Sequence, residues 1–146
     1  MEYLGRNGAL TNMNPILPLL LRIIPAAIIG LTIPGKLYGA LASREIFYRL
    51  TERAFENDNL EAFARLSTGL IELVAVVLLL IPKTKVIGAI SLVVIMTGAL
   101  LSHLFYLGFS GTAGQMAIMA AISLILLVSY LVLNRKPENE ISGLTV

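Results

Sequence analysis

The stretch Leu70-Ile71-Glu72-Leu73-Val74-Ala75-Val76-Val77-Leu78-Leu79-Leu80-Ile81 is apolar at every position but one. Such a run is built to face lipid, and a carboxylate at bilayer depth costs about 2.5–3.5 kcal/mol on insertion scales. Glu72 is therefore expected to be protonated, paired or facing a polar cavity inside a helix bundle. Two more apolar segments are interrupted in the same way, by Arg22 and by His103, the single histidine of the chain. An acid, a base and an imidazole among apolar helices predict a polar site within the membrane.

Composition points the same way. Of 146 residues, 57% are hydrophobic and only 14% charged, against about 25% charged in soluble domains. The mean hydropathy is +0.85. This length suits one transmembrane domain over residues 1–146, an all-α integral membrane four-helix bundle. The formal charge of +2 is small, and no basic stripe interleaved with aromatics exists, which argues against nucleic acid as a partner. Cysteine is absent, so dithiol redox chemistry, a thiolate metal site and a disulfide are excluded. Tryptophan is absent too, which leaves Tyr and Phe as interfacial anchors. Met1 to Asn14 carries only Glu2 and Arg6 as charges and does not read as a cleaved leader, so the first span is expected to persist.

Four apolar segments predict spans at about 15–34, 60–81, 84–107 and 112–133, each long enough to cross about 30 Å of hydrocarbon. Pro25 is expected to kink the first near Arg22, and Pro34-Gly35 to end it. Asp58 and Glu61 have capping-box spacing ahead of the second, and Pro82 supplies its stop. Gly108 to Gly114 is a short connection, so the last two spans are expected to be antiparallel neighbours. Between the first two spans, Ser43 to Glu56 reads as an amphipathic helix in the membrane interface, with Phe47, Leu50, Ala54 and Phe55 on its apolar face. A solvated helix capping the bundle is the alternative reading. Residues 134–146 form a short polar tail. Ala113, Ala117 and Ala121, and Gly98 with Ser102, mark faces for close helix approach. Lys83, Lys85, Arg135 and Lys136 bias both termini toward the cytoplasm, although Lys36, Arg44, Arg49 and Arg53 lie in the opposite connection.

If alternating helices share their midpoints, Arg22 falls roughly 6 Å from the level of Glu72 and the two become partners. His103 and Lys36 then lie toward the opposite face, giving a polar column of Arg22, Glu72, His103 and Lys36. An Arg22–Glu72 pair that only fixes helix register remains as good a reading as a functional site. His103 bonded to a backbone carbonyl and Lys36 snorkelling at the boundary are the simpler readings of those two residues. Thr68, one turn before Glu72, is expected to bond back to its own helix. One histidine cannot ligate a haem from both sides, and no metal-ligand spacing, phosphate loop or nucleophile elbow is present. No covalently bound cofactor is expected. A redox role would therefore use a lipid-soluble carrier such as a quinone, or a partner's cofactor, and a carboxylate and an imidazole beside an apolar pocket suit a quinone head group.

Arg22-Ile23-Ile24 followed by Gly35-Lys36-Leu37, then Gly69-Leu70-Ile71-Glu72-Leu73 with a leucine-rich run ending Ile81-Pro82-Lys83-Thr84, resembles the DoxX family. Gly88-Ala89-Ile90, Met96-Thr97-Gly98-Ala99 and His103 continue the resemblance, which extends from about Leu21 to Leu133. It implies a four-helix protein of the bacterial or archaeal cytoplasmic membrane, with relatives linked to a thiosulfate:quinone oxidoreductase. It also implies that Arg22, Lys36, Glu72 and His103 occupy recurrent polar positions. The proline-rich first helix and the long charged first connection depart from the family pattern. The expected function is a redox-associated, quinone-linked membrane subunit. A small proton-coupled transporter or channel, and a structural or assembly partner without its own activity, are the alternatives. The expected partners are the bilayer, a membrane or peripheral redox protein, and a second copy of the chain.

Overall fold

The computed structural model describes residues 16–134, and the polar tail from Arg135 and the segment before Ile16 lie outside the described residues. Helix α1 covers Ile16–Tyr38, α2 Leu41–Phe55, α3 Glu61–Leu80, α4 Lys85–Ser102 and α5 Gly111–Leu133. A π-helical turn, His103–Leu107, extends α4, and a 3₁₀ turn, Asp58–Leu60, precedes α3. Among the described residues there is no strand. Helices α1, α3, α5 and α4 with its π turn are each long and apolar enough to cross a membrane. They pack as a closed ring in the order α1, α3, α4, α5. The protein is an integral membrane helical bundle.

The stretch around Glu72 shows why it folds this way. Glu72, Ala75, Val76 and Leu79 point inward at i, i+3, i+4 and i+7, while Leu70, Ile71, Val74 and Val77 are exposed on the outside. Apolar residues outside and a carboxylate inside invert the soluble pattern, as a bilayer solvent requires.

Pro34 does not end α1. The helix runs on to Tyr38 and closes with Gly39 at φ +72°, where the Ala40 N–H donates to the Gly35 carbonyl at 2.8 Å. A left-handed glycine closing the last turn in this way is the usual helix stop. Proline removes one hydrogen bond and kinks a helix, but neighbouring helices support the freed backbone in a bundle. A capping box of Asp58 and Glu61 is expected ahead of α3. The helix starts behind Leu60 with no side-chain cap, and the Glu61 carboxylate instead accepts from Arg65 Nε at 2.5 Å. The Asp58 side chain lies outside the described residues.

Helix α2 lies across one end of the ring, packed on α3 and the π turn and touching α1. Its buried face is Ser43, Ile46, Phe47 and Thr51, with Leu50 half-buried. Phe55, expected on that face, is exposed, because the stripe that meets the bundle runs through 43, 46, 47, 50 and 51. The small-residue faces divide similarly. Ala113 and Ala117 are buried in α5, whereas Gly98 is exposed and a Cβ there would meet nothing within 4 Å. Close approach occurs instead at Gly88, where a Cβ would lie 2.6 Å from the Leu79 Cα.

Candidate functional site

Lys36 and Glu72 form a buried ion pair between α1 and α3. Lys36 Nζ donates to Glu72 Oε2, with side-chain exposures of 12% and 3%. The ammonium also donates to Thr32 Oγ1 at 3.3 Å, and the Thr32 hydroxyl donates in turn to the Ile29 carbonyl at 2.8 Å. Because α1 remains helical beyond Pro34, Thr32 and Lys36 stand one turn apart on the same face. Arg65, on α3, donates to the Lys36 carbonyl and so satisfies one of the last carbonyls of α1. Spacing marks Arg65 only as an i, i+4 partner of Glu61, and its bond to α1 is not legible from the sequence.

Arg22 is not the partner of Glu72. Its Nη2 donates to the Leu80 carbonyl at 3.0 Å, and its guanidinium faces Tyr130 on α5. The reason is register. A Cβ on Gly69 would lie 3.0 Å from the Cβ of Lys36, so Lys36 is level with Gly69 while Arg22 is level with Leu80. Eight residues, about 12 Å of rise, separate Leu80 from Glu72. The two helices do not share midpoints, and the expected polar column loses Arg22 to the end of the bundle where α1 begins and α5 finishes.

His103 is 4% exposed and begins the π turn. Its Nδ1 lies 3.3 Å from the Gly108 carbonyl, and the Gly108 N–H donates to the His103 carbonyl at 2.8 Å. A carbonyl only accepts, so Nδ1 carries the proton of this bond, and in the neutral form of the ring Nε2 is an acceptor. Glycine is required at 108, where φ is +75°.

Lys36, Glu72 and His103 line one cavity of about 340 Å³. Ile28, Ile29 and Thr32 of α1, Ile95, Met96 and Ala99 of α4, and Met116, Met119 and Ser123 of α5 complete its walls. Thr68 and Ser102 face it as well, and Ile46, Phe47 and Leu50 of α2 roof it. At the other end Leu79, Leu92, Leu127 and Tyr130 are almost wholly buried and close the bundle. The cavity is thus an apolar chamber with an ammonium, a carboxylate and an imidazole on its walls. Among the described residues no cluster of three or more His, Cys, Asp or Glu could hold a metal. Thr32, Ser123 and the α2 roof were not legible as parts of this site from spacing alone.

The profile of the DoxX-like family matches residues 53–129, more than half of the chain. The chain belongs to the DoxX-like family. Glu72 and His103 fall inside the matched region of this DoxX-like protein, and Lys36 and Arg22 precede it. No curated protein and no solved structure matches the chain.

Proposed function

We propose that this DoxX-like protein is a redox-associated membrane subunit that binds a quinone or a similar amphiphile beside Glu72. The observation that carries the reading is the Lys36–Glu72 pair in the wall of a mostly apolar, roofed chamber of about 340 Å³. That volume lies within the range of about 300–1,000 Å³ usual for small-molecule sites, which combine apolar walls with a few placed polar groups. Lys36 is a donor and the second carboxylate oxygen and His103 Nε2 are acceptors, a set that serves both the carbonyl and the hydroxyl form of such a head group. Gly98, exposed near the middle of the α4 span, also lines the chamber, which favours entry from the hydrocarbon layer. The closed half of the bundle at Leu79, Leu92 and Leu127 speaks for a chamber with one end over a proton path through the membrane.

The test is native mass spectrometry of the gently extracted protein beside its Glu72→Gln variant. A quinone-sized adduct on the wild type that is lost from the variant is the expected result. A bare wild-type chain, also after incubation with a decyl-substituted 1,4-benzoquinone, overturns the reading in favour of a structural ion pair.

A further inference from the structure

Ser123 is fully buried, and its hydroxyl has no hydrogen-bond partner. Elsewhere in the helices the hydroxyls of Thr32, Thr51, Ser67, Thr97 and Ser102 bond back to a carbonyl of their own helix, the default for such residues in apolar surroundings. Among the described residues the other buried side-chain atoms without a hydrogen bond are Arg22 Nε, Ser43 Oγ and Tyr130 Oη, and Arg22 is held through Nη2. None of those three lines the chamber, and Ser123 does. A buried polar group without a partner calls for an explanation.

Its position supplies one. Arg22 is level with Leu80 and faces Tyr130. Seven residues back along α5 from Tyr130 is Ser123, and eight back along α3 from Leu80 is Glu72. The two steps rise by about 10 and 12 Å, so Ser123 and Glu72 stand at nearly one level on α5 and α3. These two helices are opposite each other in the ring. The chamber therefore has a donor on the wall facing the Lys36–Glu72 pair.

We propose that Ser123 is a ligand-binding residue whose O–H donates to an acceptor oxygen of the head group on the side away from Lys36. This rests on the reading of the chamber as an amphiphile site, and it narrows the ligand to a flat head group with oxygens on two opposite edges. One oxygen takes a hydrogen from the Lys36 ammonium and the other from Ser123. Loss of one such neutral hydrogen bond weakens binding by about tenfold.

The experiment is equilibrium binding of a decyl-substituted 1,4-benzoquinone to the full chain in lipid nanodiscs. Wild type is compared with Ser123→Ala, Ser123→Thr and Glu72→Gln, and the unfolding temperature of each is recorded. The expected result is a loss of about tenfold in affinity for Ser123→Ala, recovery in Ser123→Thr, which keeps a hydroxyl, and no fall in the unfolding temperature of Ser123→Ala. Equal affinity in wild type and Ser123→Ala, with a loss in Glu72→Gln, overturns the role of Ser123 and leaves the site standing. No binding to the wild type, or binding indifferent to all three substitutions, overturns the site together with the role of Ser123.

Discussion

Glu72 and Lys36 are 3% and 12% exposed at their side chains, so either one alone would be a charge without compensation in an apolar interior. Glu72→Ala is expected to cost about 3–5 kcal/mol for that reason, and Glu72→Leu combined with Lys36→Met to recover most of the loss. Thermal unfolding in lipid nanodiscs measures both, and a Glu72→Ala variant as stable as wild type would contradict the buried pair. Arg22→Leu is expected to remove the charge-assisted hydrogen bond to the Leu80 carbonyl, a change of about 1.5–3 kcal/mol, and to leave ligand binding unchanged. That Glu72 is internal was legible from its neighbours, since a lone carboxylate in a lipid-facing run has nowhere else to go. Which base it meets was not. That choice depends on the relative slide of α1 and α3, which no periodicity encodes and which the contacts of Gly69 and Arg65 with Lys36 set.

Two glycines in α4 are expected to respond with opposite signs. Gly88 lies against the backbone of Leu78 and Leu79, so Gly88→Ala forces α3 and α4 apart and should cost about 1–3 kcal/mol, as overpacking does. Gly98 meets nothing, so Gly98→Leu keeps the fold and gains about 0.5–1 kcal/mol from reduced backbone freedom. Its side chain then stands beside the chamber, and quinone uptake from the bilayer should slow in stopped-flow measurements while Gly88→Ala lowers the unfolding temperature. Uptake unchanged in Gly98→Leu would remove α4 as the route of entry. The four long apolar helices were readable to within a few residues from hydropathy, and the packing of the last pair from the short Gly108–Gly114 connection. The α2 roof was readable as an amphipathic helix and not as a lid, because amphipathicity shows that a face is buried without showing what lies beneath it.

At the scale of the whole molecule, four spans place the start of α1 and the end of α5 at one face of the bundle, where Arg22 meets Tyr130. The chain has no cysteine, so single cysteines introduced at Thr84, Ser110 or Asn134 are free of background. With Lys83 and Lys85 as the cytoplasmic markers, a membrane-impermeant maleimide added outside intact cells is expected to label the Ser110 variant and to spare the other two. The reverse pattern would turn the protein over. The link between Lys36 and Glu72 also bears on how such a protein is made. During synthesis Lys36 leaves the ribosome thirty-six residues ahead of Glu72, at the end of a span where its long chain can reach the lipid head groups while it waits. Glu72 arrives in mid-span, without that freedom, and finds the ammonium already in the membrane. The charge at the greater depth is thus the second to be inserted. The order of synthesis thus delivers the partner ahead of the carboxylate that needs it.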